Sequence, residues 1–181
     1  MKIENRLLKI CIIILLITIS PFKADSQSHA ITLDADTKHY KLGTNLDILE
    51  DKESALIIDD ILKKKFDDRF TRCRDEEPKM GYTTSAYWVR YQVNNPDKVS
   101  REMYLEIAYQ HLDNIEFYTP GKNNDYSMQT AGFQYYFEKR QVLHRNFVFK
   151  VNINPGLNTH YVRIKSSSLV KFPMILQTQE Y

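Results

Sequence analysis

A chain of 181 residues with 25 Lys and Arg against 23 Asp and Glu is long enough for one domain with a proper core. Its formal charge of +2 excludes the strongly basic surface that nucleic acid or an anionic membrane would demand. Residues 1–26 hold four of the basic residues and two of the acidic ones, so 21 of each remain beyond them.

Those first residues read as a targeting signal. Lys2, Arg6 and Lys9 precede an apolar run over 10–19 that only Thr18 interrupts, and Pro21 ends it. Ala24, Asp25 and Ser26 put small residues at the two positions a signal peptidase reads, so residues 1–26 are expected to be a signal peptide cleaved near Ser26. The run is shorter than the roughly 20 residues of a comfortable membrane span; left uncleaved, it would serve as an anchor. Either way the protein is expected to be exported, periplasmic or extracellular. Only Cys73 remains beyond the signal, which rules out an internal disulfide. Set among Arg72, Arg74, Asp75 and Glu76, it reads as a free, partly exposed thiol.

Residues 27–37 are polar with a short apolar beat at Ile31 and Leu33, and read as a tail, a linker or a first strand. Residues 38–181 form the domain. Tyr40 to Leu42 lead into a turn at Gly43, and the alternation of Leu46 and Ile48 suggests a strand. One short helix is expected near residues 59–68: Asp59 or Asp60 can cap it, and Ile61, Leu62, Lys65 and Phe66 make its stripe. Lys63, Lys64 and Lys65 suit its C-terminal end, and Asp67 and Asp68 directly after them argue for a solvated face.

From Gly81 onward the period is two. Tyr87, Val89, Tyr91 and Val93 share one face, and Trp88, Arg90, Gln92 and Asn94 share the other. The 94–97 stretch, Asn-Asn-Pro-Asp, is turn chemistry. Further strands are expected over 101–109 (Met103, Leu105 and Ile107 on one face), 113–118 (Ile115 and Phe117 inward), 146–153, 160–165 and 172–177, with a loop over 119–125. Many short strands with turn signals about every ten residues mean an all-β sandwich or barrel, with no βαβ unit.

The search for catalytic chemistry finds no Gly-rich phosphate loop, no HExxH and no CxxC. The five histidines lack ligand spacing apart from His111 beside Asp113, a weak metal pair. No enzyme, metal or cofactor is expected. What stands out is Trp88 and Arg90 on one strand face, continued by Gln92 and Asn94: ring faces stack on apolar C–H patches while amides and guanidinium meet hydroxyls or carboxylates. Arg140, Arg145 and Arg163 either converge on an anionic group or form structural ion pairs. Tyr135, Tyr136 and Phe137 are either an exposed aromatic loop or ordinary edge packing.

The order of these motifs resembles the type 2 extracellular domain of bacterial seven-transmembrane receptors with diverse intracellular signalling modules (7TMR-DISM). The resemblance lies in Leu49-Glu50-Asp51 and Phe66, Tyr87-Trp88-Val89-Arg90-Tyr91 running into Asn94, and Tyr109 with Leu112-Asp113-Asn114-Ile115. It continues through the 132–140 stretch, Phe147-Val148-Phe149 and Tyr161-Val162-Arg163-Ile164, and so covers roughly residues 38–178. It implies a jelly-roll-like β-sandwich that senses a small molecule, a carbohydrate above all, with Trp88, Arg90, Asn94, Asp113, Arg140 and Arg163 as the candidate ligand-binding residues. A non-catalytic module docking to a membrane receptor or another envelope protein is the alternative. The sequence ends at Tyr181 without a seven-helix bundle or output domain, so a truncated receptor, a gene fragment and a stand-alone binder all remain open.

Overall fold

A computed structural model describes residues 29–121 and 125–179; the expected signal peptide and part of the 119–125 loop lie outside the described residues. The larger sheet has the order β4-β3-β6-β11-β8-β9, with β3 Asp47–Asp51, β4 Thr71–Arg72, β6 Ala86–Asn95, β8 Asn114–Pro120, β9 Tyr126–Ala131 and β11 Gly156–Lys165. Strand β1, Ile31–Thr32, pairs in parallel with Val93 and Asn94 of β6. The smaller sheet runs β10-β7-β13-β2, with β2 His39–Lys41, β7 Arg101–Ile107, β10 Phe147–Ile153 and β13 Met174–Gln177. A separate ribbon pairs β5, Lys79–Tyr82, with β12, Leu169–Lys171.

The period-two segments became the strands that face each other across the core. Val89, Tyr91 and Val93 of β6, Ile115 and Phe117 of β8, and Val162 and Ile164 of β11 meet Phe147, Phe149, Val151 and Ile153 of β10. Met103, Leu105 and Ile107 of β7 and Met174 and Leu176 of β13 complete the layer, all of them buried. The fold is therefore the all-β sandwich that alternation implies. The segment read as tail, linker or first strand contributes β1, and Leu33 beside it is 1% exposed in the core.

A second, smaller apolar cluster lies on the outer side of the larger sheet. Leu49, Trp88, Tyr118 and Tyr161 come from the sheet, and Ile61 and Phe66 from the segment that crosses it. That is why β6 is buried on both faces over its first four residues, 86–89, as expected of a strand covered from two sides; beyond them Arg90, Gln92 and Asn94 are only partly buried. The expected helix at 59–68 is instead one α turn, α1 (Ile58–Ile61), and a 3₁₀ segment, Lys64–Arg69, separated by Lys63 in an extended conformation. The reason is geometric. At 3.6 residues per turn, Ile61 and Phe66 would point about 140° apart on one continuous helix, yet both must reach the same sheet. The break at Lys63 resets the phase.

Cys73 corrects the sequence reading. It is 8% exposed and belongs to the main core, and its Sγ lies 3.3 Å from the Asp75 carbonyl oxygen. The chain pulls it inside through the edge pairing of β4 with β3 and the bond from the Cys73 N–H to the Leu46 carbonyl.

After β9 the chain turns at Gly132, which has φ +141°; a Cβ there would stand 2.1 Å from the Asp113 carbonyl oxygen. The tight approach lets the Phe133 N–H reach the Leu112 carbonyl at 2.7 Å and fixes where the long strap between β9 and β10 begins. Gly132→Ala is expected to lower the unfolding free energy by about 1–3 kcal/mol, from the forced φ and the clash together. Urea unfolding followed by tryptophan fluorescence measures this directly, since Trp88 is the sole tryptophan.

Candidate functional site

The six candidate residues from the sequence do not form one site. Trp88 is fully buried in the outer cluster, 5.5 Å from the Tyr118 ring. Arg90 donates to Asp47 at 3.3 Å and to Asp67 at 2.9 Å, and its guanidinium lies 4.4 Å from the centre of the Phe70 ring. Arg163 bonds Glu116 at 3.1 Å and the Ser54 carbonyl at 3.1 Å, with side chains 13% and 20% exposed across the ion pair. The crossing segment has thus turned this face into packing and ion pairs. The one Arg163 donor without a partner among the described residues, Nε, is itself buried, so the guanidinium presents little to an incoming anion.

Asn94 sits at the β1 end of β6, where its carbonyl accepts the Leu33 N–H at 2.9 Å. Asp113 accepts two bonds at 2.6 Å from the backbone N–H and hydroxyl of Ser167. These bonds hold its carboxyl below the usual carboxylate range and tie the turn before β8 to the turn after β11. His111, its partner in the weak metal pair, lies 3.4 Å from Gln110. Among the described residues no group of three or more His, Cys, Asp or Glu is placed to hold a metal ion.

Arg140 lies elsewhere, in the strap. Its guanidinium sits between the Phe137 and Phe147 rings, 4.8 and 4.7 Å from their centres, and donates to the His144 and Arg145 carbonyls. It shares no described partner with Arg163, so the two do not converge. Arg140 acts as the pin that folds the strap back onto β10.

What the strap covers is the outer face of the smaller sheet. The registers set Val148, Glu106, Ile175 and Lys41 in one row across the four strands, and Lys150, Tyr104, Gln177 and His39 in the next. Residues directly opposite in register share a face. Within this outward layer two polar side chains are buried: Glu106 and Gln177, each 4% exposed. The Asn146 amide donates to Glu106 Oε1, and the Gln177 amide donates to Oε2 at 3.1 Å. Gln177 Oε1 is buried and has no hydrogen-bond partner among the described residues.

Beside Gln177 is a cavity of about 540 Å³. Tyr104, Val148 and Gln177 line it from the sheet, and Gln141 to His144 from the strap. Lys150 bonds Glu102 at 2.7 Å, and the Tyr104 hydroxyl donates to Glu102 at 2.9 Å. A pocket of this size, with an apolar wall and a few oriented amides, suits a small polar ligand. Sequence reasoning missed it although its signal was present: Glu102, Tyr104 and Glu106 alternate with the core residues of β7 and stand on the other face.

The two packed sheets define a β-sandwich domain with one open polar face. The chain belongs to the family described as 7TMR-DISM extracellular 2, whose sequence model matches residues 43–178, most of the chain. It is thus a member of an extracellular sensor-domain family, which is generally non-catalytic. No curated protein matches. Among solved structures, an exo-beta-1,3-galactanase from Phanerochaete chrysosporium, crystallised with beta-1,3-galactotriose, is similar over 56% of this chain and 26% of its own, with 11% identity and a TM-score of 0.30. The likeness spans about a quarter of that protein.

Proposed function

We propose that this protein is an exported, non-catalytic ligand-sensing domain that binds a carbohydrate or similar small polar molecule on the outer face of its smaller sheet, beneath the strap. Gln177 carries the reading. A buried carbonyl oxygen without a partner costs about 1–3 kcal/mol, and the residue that carries this one lines the cavity while its own amide is fixed by Glu106. A small rotation of the Gln177 side chain toward the cavity would let a ligand hydroxyl or amide N–H supply the missing bond. Tyr104 beside it offers a ring for stacking against apolar C–H groups.

A ligand that binds only the folded state raises the melting temperature by mass action. The folded domain, residues 27–181, is therefore expected to show a shift with at least one member of a panel of mono- and oligosaccharides and small amides. Tyr104→Ala is expected to abolish the shift while melting close to the parent. A shift that survives Tyr104→Ala but disappears in a folded Arg90→Ala variant would move the site to the other sheet. One observation favours the alternative of docking to an envelope protein. The strap exposes Phe133 at 73%, Tyr136 at 75% and Phe137 at 47%, and a domain that binds nothing in the panel would direct attention to that aromatic run.

A further inference from the structure

The sandwich opens along the side where β9 is the last strand of the larger sheet and β10 the last of the smaller. Gln129 of β9 reaches across this opening, and its amide donates to the Lys150 carbonyl of β10 at 3.0 Å. The Lys150 N–H in turn donates to Gln141 Oε1, also at 3.0 Å. One backbone residue of the edge strand thus fixes the orientation of two side-chain amides. With Gln141 Oε1 committed to an N–H, its Nε2 is left as a donor. With Gln129 Nε2 committed to a carbonyl, its Oε1 is left as an acceptor. A cavity of about 270 Å³ lies here, lined by Gln129 and Ala131 of β9, Phe147 and Phe149 of β10, and Arg140 and Gln141 of the strap. Among the described residues that line it, Arg140 alone is charged.

Arg140 is a cation without a counter-ion among the described residues. Both of its hydrogen bonds, to the His144 and Arg145 carbonyls, come from Nη1. Its Nε is buried without a partner, and Nη2 bonds to none of the described residues. The Phe137 and Phe147 rings cover the guanidinium, so the edge made by Nε and Nη2 is what it has left to offer. A planar guanidinium edge meets a carboxylate through two parallel N–H···O bonds. Burial holds the Arg140 pKa below the ordinary arginine value, and a partly buried charge is stabilised by gaining a hydrogen-bonded partner of opposite sign.

We propose that the opening between β9 and β10 is a second binding site, for a small hydroxy acid whose carboxylate pairs with Arg140 and Gln141 Nε2 while its hydroxyl donates to Gln129 Oε1. A monoanion matches the single charge of the cavity, whereas a dianion brings in a second charge that no lining cation offsets. Because Nε is covered, a carboxylate that takes both nitrogens must displace part of the cover. Phe147 is fully buried and Phe137 is exposed, so the strap is the side that yields. Arg140 and Gln129 line this cavity and not the one beside Gln177, and the proposal stands whether or not that one takes a ligand.

The test is a titration of the protein with glycolate and lactate, beside lactamide, phosphate and chloride, followed by nuclear magnetic resonance of N–H groups. The expected result is a saturable shift of the Arg140 Nε–H, the Gln141 side-chain amide and the strap amides together. Glycolate or lactate is expected to bind at least about tenfold more tightly than the three comparison compounds. Gln141→Glu keeps an acceptor for the Lys150 N–H but puts a fixed carboxylate into the cavity. It is expected to weaken the acid at least about tenfold without lowering the melting temperature. Arg140→Lys, which loses the planar edge, is expected to weaken it as much. Arg145→Gln, at an exposed neighbour, is expected to leave the affinity within about twofold. Lactamide binding as tightly as lactate would overturn the role of charge, and phosphate or chloride doing so would overturn the carboxylate assignment. Binding that survives Gln141→Glu, or that falls equally in Arg145→Gln, would overturn the site. The absence of a saturable shift with either acid would overturn the proposal, whatever neutral sugars do elsewhere.

Discussion

Trp88→Ala is expected to destabilise the domain by about 3–5 kcal/mol, the range for emptying a fully buried large aromatic. For a domain of this size that lowers the melting temperature by about 6–20 °C. Trp88 has no exposed surface, stacks near Tyr118, and packs with Ile61 and Phe66 of the crossing segment. Removing it opens a cavity between the sheet and its cover, and α1 loses what it rests on. Thermal and urea unfolding of the variant, read by far-ultraviolet circular dichroism, measure the effect. A variant with an unchanged midpoint would mean that the ring is a surface platform and that the outer cluster is not a core.

Acid is expected to destabilise the domain steeply through His160. This side chain is fully buried between Tyr91, 5.0 Å away and stacked, and Phe117 at 5.9 Å. Neither ring nitrogen has a partner among the described residues. Burial pushes it from its ordinary value of 6.5 down to about 3. Between those values the unfolded chain binds the proton and the native state does not, so stability falls as pH falls through 6.5 and goes on falling toward 3. At the limiting slope of about 1.4 kcal/mol per pH unit, the loss by pH 4.5 is on the order of 2–3 kcal/mol. Asp34, Asp60, Asp97 and Asp113 are held below their ordinary 3.8 by hydrogen bonds. Their share is fully present above that value and is lost only below it. Glu77 and Glu102 are likewise held below their ordinary 4.5, by bonds from Lys171 and Lys150, so the part of the window above about pH 5.5 isolates the histidine. Chemical unfolding at several pH values is expected to show this slope in the parent and, above about pH 5.5, a flat profile in His160→Leu. Equal slopes in the two proteins would assign the acid limb to other groups.

The long strands were legible because alternation is a local property. Along most of β6, β7, β8 and β10, and at Val162 and Ile164 of β11, every second residue is large and apolar, and the structure turns those residues inward. Strand β9 was not legible: of Tyr-Ser-Met-Gln-Thr-Ala only Ala131 is buried, since the strand pairs with β8 alone and stands at the sheet edge. The two- to four-residue strands β4, β5 and β12 are too short to show a period at all. For the candidate residues the limit was different. Alternation shows that Trp88 and Arg90 share a face, but not whether that face meets water. Segment 56–70 decides this by folding across the sheet, a contact between residues distant in sequence. Glu106 and Gln177 illustrate the converse, because nothing local marks two polar side chains on an outward face as buried. Only the strap, tied by Gly132 at its start and Arg140 near its end, makes them so.

The cover over the larger sheet also decides where this domain is free to diversify. With both faces of the first half of β6 and the matching stretch of β11 committed to packing and ion pairs, a change at Trp88, Arg90 or Arg163 must be matched by compensating changes in the segment that crosses them. Apart from the buried pair Glu106 and Gln177, the outward rows of the smaller sheet carry no such obligation: Glu102, Tyr104, Lys150 and Ile175 are partly exposed or exposed. A lineage that acquires a new ligand preference is therefore expected to vary along these rows and at Gln179, leaving the tryptophan strand nearly constant. The recognisable part of the sequence would then record the scaffold, and the specificity would be written in the half that pattern-reading passes over.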